Sequence, residues 1–164
     1  YLGYGNYRIT VDDTPIVGKV DKIEWLDKTA RTVKVIDYKT GSPKTRGQIQ
    51  GSTKYSDGSY KRQLIFYKLL VDSDPKLNLT VKQGELDFIQ TDNRGSFRKE
   101  AFDITKQEVD DLKNIIRQTM DKIRNFQFPH TTDYHHCKHC EFKEHCFPNG
   151  IPNLPQNQQL SLTE

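Results

Sequence analysis

Residues 17–39, VGKVDKIEWLDKTARTVKVIDYK, decide the fold of this chain. Alternating apolar and polar side chains predict two strands, and a turn near residues 27–30 makes them antiparallel. A three-residue loop would place Asp21 opposite Asp37, a pairing that a slip of one residue would undo. One face of the two strands then carries Val17, Lys19, Asp21, Ile23, Trp25, Val33, Val35, Asp37 and Lys39.

This face combines two carboxylates and a lysine with apolar neighbours. Like charges repel at short range, and apolar surroundings raise the cost. A hard cation such as Mg²⁺ prefers carboxylate oxygens and would relieve the repulsion between Asp21 and Asp37. With Lys39 beside it, such a cation could promote hydrolysis of a phosphodiester. The alternative is a surface hairpin with a cross-strand ion pair, which is common in proteins.

A helix is predicted over residues 60–72, YKRQLIFYKLLVD, from apolar residues at helical spacing. Gln63 and Tyr67 are four residues apart and therefore share one face. By spacing alone, Tyr67 belongs to the core and Gln63 covers its edge.

Three motifs follow one another along the chain, namely GKVDKIE at 18–24, DYKTG at 37–41 and QLIFY at 63–67. Together they resemble the RecB-like branch of the PD-(D/E)XK nucleases, over most of the chain. The resemblance implies an α/β fold of the restriction-endonuclease-like kind, with a mixed β-sheet core flanked by helices. It also implies cleavage of DNA with Mg²⁺ or Mn²⁺, and it assigns both Gln63 and Tyr67 to the site.

The family pattern gives each matching residue a role. It implies that Asp21, Asp37 and the backbone carbonyl of Tyr38 bind the metal. It implies that Lys39 is the catalytic lysine and that Gln63 and Tyr67 border the reacting groups.

A basic stretch adjoins this site. Residues 40–60 are rich in Gly, Ser and Thr and predict a mobile loop. Residues 44–68 contain one acidic residue, Asp57, and six cationic residues: Lys44, Arg46, Lys54, Lys61, Arg62 and Lys68. We expect the first five to bind the DNA backbone without reading its sequence. The alternative is an ordinary solvated loop.

The remaining segments are predicted to be architectural. Residues 7–11 alternate as a strand, and residues 12–15 predict a turn in which Asp12 and Asp13 are turn formers rather than metal ligands. Strands are expected at 77–81, 84–91 and 96–102, with a hairpin turn at 92–95. Thr105 and Glu108 form a capping box that opens a helix, whose apolar stripe to about residue 126 predicts core packing.

A cysteine-rich segment follows at residues 135–147, HHCKHCEFKEHCF. Cys137, Cys140 and Cys146 are closely spaced, and the chain shows no secretion signal, so a metal is favoured over disulfides. Zinc could be bound with a histidine as fourth ligand, and three thiols without metal are the other alternative. The histidines available to zinc are His135, His136, His139 and His145.

The cysteine spacing also resembles that of AddB-type and Cas4-type nucleases. In these proteins an upstream cysteine joins three C-terminal ones to bind a [4Fe-4S] cluster. This sequence contains three cysteines, so the resemblance implies a cluster only in a longer protein. For the chain alone we expect an empty or partly filled site.

Composition sets broad limits on the protein. The chain has 164 residues and a formal net charge of +3, which suits one domain and permits an anionic partner. No apolar run is long enough for a membrane span, so a cytoplasmic protein is expected. We expect a nuclease domain at 1–147, as a fragment that lacks its N-terminal part, and a flexible tail at 148–164.

The resemblance implies DNA end processing in repair or recombination, with a superfamily 1 helicase domain in the same chain or complex. The second hypothesis is a catalytically idle nuclease-like module that binds DNA or a helicase. The presence of Asp21, Asp37 and Lys39 argues against it. A third hypothesis, a zinc-knuckle interaction module, has only the cysteines in its favour.

Overall fold

A computed structural model describes residues 5–129, 134 and 136–151. The chain forms two compact units, residues 1–121 and 122–164. The predicted nuclease motifs all lie in the first unit, and the cysteines lie in the second.

The first unit opens with an antiparallel pair of strands, β1 (Gly5–Val11) and β2 (Thr14–Val20). The predicted strand is confirmed, because Tyr7, Ile9 and Val11 are buried. The turn is shorter than the predicted 12–15, because residues 12–13 form it and Thr14 already begins β2. Asp12 has a positive φ of 51°, and its carboxylate lies 2.6 Å from Arg117 Nε. Asp12 therefore acts as a turn former with a cationic partner.

A second sheet has four strands in the order β3 (Lys22–Asp27), β4 (Thr32–Lys39), β5 (Thr80–Thr91) and β6 (Phe97–Asp103). The β4–β5 pair is parallel and the other two pairs are antiparallel. A parallel pair needs a long crossover, which the segment between β4 and β5 supplies. The predicted mixed sheet is confirmed. The predicted strands at 77–81 and 84–91 form the single strand β5, which begins only at Thr80.

The predicted register holds from Lys22 to Trp25, but the predicted three-residue loop is wrong. Asp27 pairs with Thr32, which leaves four residues in the loop, and a bulge lies between Trp25 and Asp27. Lys22 pairs with Ile36, and Ile23 pairs with Val35. Asp21 precedes β3, so it lies one residue beyond the last pair of this ladder and does not itself pair with Asp37.

The prediction of one continuous strand from Val17 to Trp25 is wrong. The chain breaks at Asp21, because β2 pairs with β1 whereas β3 pairs with β4. Val20 and Ile23 are both fully buried although they are three residues apart, so the alternation shifts by one. Val17 is consequently 60% exposed instead of sharing the buried face. The break places Asp21 at a junction between the two sheets.

The predicted mobile loop at 40–60 contains a helix, α1 (Arg46–Gln50). Its N-terminus has a capping box in which Gln48 N–H donates to Thr45 Oγ1 at 3.3 Å. Gly51, at a φ of 78°, ends the helix in the left-handed region that favours glycine. The Gly- and Ser-rich composition therefore concealed a helix whose T-x-x-Q cap is visible in the sequence.

The predicted helix at 60–72 is confirmed as α2 (Ser59–Asp72), with Leu64, Leu70 and Val71 fully buried. It packs closely on the four-stranded sheet. A Cβ added to Gly84 of β5 would lie only 2.9 Å from Leu64 Cβ. This close contact fixes the distance between α2 and the strands that carry the site.

The predicted capping box opens α3 (Lys106–Arg124), where Thr105 N–H donates to Glu108 Oε2 at 2.8 Å. The prediction of core packing holds only for the start of this helix. Val109 and Leu112 are buried, but Ile115 is 51% exposed. Helical periodicity identifies an apolar face without identifying what covers it.

The second unit contains two short helical segments, a 3₁₀ turn (His136–His139) and α4 (Lys143–Cys146). Of the predicted tail, residues 148–151 have no helix or strand, and residues 152–164 lie outside the described residues. Across the described ranges of both units, no helix combines the length and apolar character needed to cross a membrane.

Candidate active site

The end of β4 and one face of α2 bring four predicted site residues together. Asp37 and Lys39 alternate on β4, while Gln63 and Tyr67 lie one helical turn apart on α2. Asp37 is only 2% exposed, and the Lys39 side chain is 18% exposed. Burial of a carboxylate is costly, so the neighbours of Asp37 must compensate for lost hydration.

These four side chains form a closed ring of polar contacts. Tyr67 OH donates to Asp37 Oδ1 at 2.8 Å, and Gln63 Nε2 donates to Tyr67 OH at 2.9 Å. Lys39 Nζ donates to Gln63 Oε1 at 2.6 Å and lies 2.7 Å from Asp37 Oδ2. Each member therefore orients the next.

Asp21 joins this arrangement through the backbone of β4. Its Oδ2 accepts the N–H of Tyr38 at 3.0 Å. Tyr38 lies between Asp37 and Lys39 in the sequence, so Asp21 is held at the same end of β4. The structure thus brings together all five side chains predicted for the site.

The two oxygens of Asp37 have different surroundings. Oδ1 accepts the hydrogen bond of Tyr67, whereas buried Oδ2 accepts none with good geometry. The Lys39 ammonium is in ion-pair contact with Oδ2 but does not satisfy it as a hydrogen-bond donor. A buried, unsatisfied carboxylate oxygen next to a second carboxylate fits the donor set of a hard divalent cation.

Tyr67 is held in its protonated form. Burial raises the pKa of Tyr67 above its ordinary value, and its hydrogen bond to Asp37 and the nearby negative charges raise it further. At neutral pH the phenol is therefore a hydrogen-bond donor and does not serve as a general base.

The raised pKa of Tyr67 predicts a change in alkaline stability. Above the pKa of an unfolded tyrosine, about 10, the folded state keeps its proton while the unfolded state loses it. Stability contributed by protonated Tyr67 is complete below that pH and falls as pH rises. Thermal unfolding from pH 8 to 11 should show a shallower alkaline loss of Tm in Tyr67→Phe than in the wild type. Tyr55→Phe, which removes an 83% exposed tyrosine, is the control, and equal slopes in all three proteins would contradict the prediction.

The sequence did not indicate Tyr60 as part of this site. Lys39 Nζ lies 5.0 Å from the centre of the Tyr60 ring, and that ring packs edge-on against buried Phe88 at 6.4 Å. The negative face of an aromatic ring stabilises an ammonium at this distance. Tyr60 is three residues before Gln63 on α2, a spacing that could have placed it on the same face.

The predicted DNA-binding cations differ in their surroundings. Three of the five are within reach of a carboxylate, in the pairs Arg46–Glu100 (3.3 Å), Lys61–Glu108 (3.2 Å) and Arg62–Asp57 (3.5 Å). In the described part of the chain, Lys44 and Lys54 form no ion pair. The local charge estimated from sequence is therefore too high near α1 and α2, because it omitted Glu100 and Glu108.

Lys68, which the same charge estimate included, does not belong to the surface. It is 7% exposed, lies 2.7 Å from Asp72 Oδ2 and donates to the carbonyl of Val81. Its charge ties α2 to the start of β5.

The described residues of the cysteine segment do not form a ligand group. Cys137 and Cys146 are half-buried, Cys140 is exposed, and no disulfide joins them. Within the described ranges, no three His, Cys, Asp or Glu side chains are grouped so as to hold a metal ion. His135 and the side chain of His136 lie outside these ranges. The residues described here therefore do not fit a [4Fe-4S] cluster or a complete zinc site.

The site combines two aspartates and a lysine at the end of a mixed sheet with a glutamine and a tyrosine on one face of α2. This combination defines a nuclease-like class of protein. A family model for the PD-(D/E)XK nuclease superfamily matches residues 2–147. The chain therefore belongs to this superfamily, as its motifs predicted.

The solved structures that are similar to this chain include the following two. One, SSO0001, shares 20% identity at a TM-score of 0.48, over 85% of this chain and 56% of the other. The second, a proposed exonuclease from Eubacterium rectale, shares 12% identity at a TM-score of 0.49, over 92% of this chain and 53% of the other. The chain thus spans about half the length of each structure. No curated protein matches it.

Proposed function

We propose that this chain is a metal-dependent deoxyribonuclease that hydrolyses phosphodiester bonds. The observation that carries the proposal is the closed ring of Asp37, Lys39, Gln63 and Tyr67, with Asp21 at its edge. The ring occupies one oxygen of Asp37 with a hydrogen bond and leaves the other without one. Membership of a nuclease superfamily supports the same reaction class.

Mg²⁺ or Mn²⁺ is the proposed cofactor. Asp21, Asp37 and the carbonyl of Tyr38 would hold it, since hard cations select oxygen ligands. When bound, such an ion polarises a phosphate and lowers the pKa of water.

The side chains of the ring prepare the site for that chemistry. Tyr67 fixes the rotation of the Asp37 carboxylate by donating to Oδ1. Gln63 accepts from Lys39 and donates to Tyr67, which holds the ammonium close to Asp37. A fixed positive charge in a partly desolvated position stabilises the negative charge that develops on a reacting phosphate. Lys39 is therefore the proposed electrostatic catalyst.

We propose that the basic segment at residues 44–68 binds the DNA backbone. Lys44 and Lys54, which form no ion pair in the described part of the chain, are its main cations. The other three cations already have carboxylate partners, so they would bind a phosphate only by sharing or exchanging those partners; they are Arg46, Lys61 and Arg62. Contacts of this kind give affinity without sequence specificity.

Replacing Lys44 with alanine should weaken binding to all DNA sequences alike. Loss of one phosphate contact should also reduce the slope of log K against log salt by roughly 0.7–0.9. Fluorescence anisotropy at several salt concentrations measures both effects. Lys28→Ala, an exposed cation in the β3–β4 turn, is the control. If the Lys44→Ala slope equals that of Lys28→Ala, the assignment of Lys44 is incorrect.

The proposed activity is tested by incubating linear single- and double-stranded DNA with Mg²⁺, Mn²⁺ or EDTA, beside matched RNA. Cleavage of DNA that requires the metal supports the proposal. Binding of DNA without cleavage under every metal condition would favour the idle nuclease-like module instead.

We further propose a role in DNA end processing during repair or recombination, beside a superfamily 1 helicase in the same chain or complex. The family resemblance is its support. Co-purification and coupled unwinding assays with a superfamily 1 helicase would test it.

The cysteine segment takes no part in the proposed reaction. Its three thiols form no ligand group among the described residues. Iron and sulfide analysis after anaerobic purification tests the cluster separately, and absence of both elements would exclude it.

A further inference from the structure

A polar pocket lies beyond the carboxyl ends of β4 and β5. It has a volume of about 230 Å³ and is lined by Ser42, Pro43, Thr91, Asp92, Asn93 and Arg94. One wall is the loop that follows Lys39, and the other is the turn between β5 and β6.

The position of the pocket relates it to the candidate active site. Lys39 pairs with Phe88 across the parallel strands, and Thr91 is three residues further along β5. At about 3.3 Å per residue, the pocket begins roughly 10 Å beyond Lys39 along the strand direction. It therefore lies too far for the reacting phosphate itself but within reach of the same nucleic-acid strand.

The two charged residues of the pocket, Asp92 and Arg94, differ in their interactions. Asp92 Oδ1 accepts the N–H groups of Arg94 and Ser96, at 2.9 and 3.0 Å. The amides of Ser96 and Arg94 hold the pKa of Asp92 below its ordinary value, so Asp92 stays ionised while it stabilises its own turn.

The guanidinium of Arg94, by contrast, has no carboxylate partner in the described part of the chain. Among the described residues it forms no ion pair, whereas neighbouring Arg98 pairs with Glu100 at 2.8 Å. Arginine presents a fork of donors that matches a phosphate, and serine, threonine and asparagine side chains commonly complete such contacts. The pocket thus offers a cation that forms no ion pair among the described residues. Its other lining groups are neutral, except for the Asp92 carboxylate, which accepts two backbone N–H groups of its own turn.

We propose that this pocket binds a backbone phosphate that flanks the reacting one, with Arg94 as its main ligand. The inference rests on the proposed DNA nuclease function and extends it by assigning a second contact point for the same strand. Binding there would align the strand across Lys39. Ser42, Thr91 and Asn93 supply hydrogen bonds to the phosphate oxygens or the adjoining sugar.

The test uses the full chain in an Asp37→Asn background, so that bound DNA is not cut. Affinity is measured for single-stranded oligonucleotides in which one phosphate at a time is replaced by a neutral methylphosphonate. One position should weaken binding about tenfold when Arg94 is present. With Arg94→Ala, overall affinity should fall by a similar factor and that position should become insensitive to the replacement.

Lys28→Ala removes an equal charge at the opposite end of β4 and should retain the sensitive position. Arg94→Lys should restore part of the affinity, because it restores the charge without the forked geometry. If Arg94→Ala keeps the wild-type pattern across all phosphates, the pocket proposal is overturned while the nuclease proposal stands. If the background protein binds no DNA at all, the proposed function fails, and the pocket assignment fails with it.

Discussion

Asp37→Ala is expected to lower the rate of DNA cleavage by at least about a thousandfold. The substitution removes a proposed metal ligand, and metal stabilisation of a reacting phosphate is worth several kcal/mol. Each loss of about 1.4 kcal/mol slows the reaction tenfold. It also removes the partner of Lys39 and the acceptor of Tyr67. Single-turnover cleavage with saturating protein measures the chemical step directly.

The same variant should still bind DNA, because the proposed backbone contacts lie outside the ring. Asp37→Asn preserves the shape of the side chain and serves as the matched variant, with circular dichroism and thermal unfolding to verify its fold. A folded Asp37→Ala protein that keeps more than a tenth of the wild-type rate would contradict the assignment of Asp37.

Lys39→Met is expected to slow the chemical step by roughly a hundred- to a thousandfold, the effect of removing one preorganised charge stabiliser. Methionine retains an unbranched side chain of similar reach, so packing near Tyr60 should change little. The loss should appear in kcat, with KM for DNA nearly unchanged, because the proposed role is confined to the transition state.

Two further variants distinguish the effect of the positive charge of Lys39 from the effect of its exact position. Lys39→Arg should recover only part of the rate, since a guanidinium does not reproduce the compact ammonium between Asp37 and Gln63. Gln63→Ala should cost less than Lys39→Met, because the lysine keeps its contact with Asp37. Equal kcat values for Lys39→Met and the wild type would exclude Lys39 from the reaction.

The sequence predicted the central hairpin because alternation acts over short range. Lys22 lies opposite Ile36 as expected, although a bulge between Trp25 and Asp27 and a four-residue loop replace the expected three-residue loop. The break at Asp21 was not predictable in this way, because it arises when the chain changes partner from β1 to β4. A local pattern contains no information about which distant strand will pair.

The site was predictable as a set of residues but not as a geometry. The i, i+4 spacing placed Gln63 and Tyr67 on one face of a helix, and the motifs linked them to Asp37 and Lys39. The directions of the hydrogen bonds in the ring depend on how closely α2 packs on the sheet, as at Gly84 and Leu64. That distance follows from tertiary packing rather than from sequence spacing.

The electrostatics of the basic segment could not be read from sequence for a related reason. Glu100 and Glu108 neutralise Arg46 and Lys61, although the partners of each pair are far apart in the sequence. Charges counted within one segment omit such partners. Lys44 and Arg94, which lack ion pairs in the described part of the chain, are consequently better probes of DNA binding than the total local charge.

A metal-specificity switch at Asp37 tests the central claim most directly. Thiolates favour softer metals, whereas Mg²⁺ requires hard oxygen ligands. We predict that Asp37→Cys is inactive with Mg²⁺ and regains measurable cleavage with Mn²⁺ or Cd²⁺, while the wild type cleaves with Mg²⁺. Cleavage by Asp37→Cys in Mg²⁺ at the wild-type rate would contradict a metal site at Asp37, and with it the proposed mechanism.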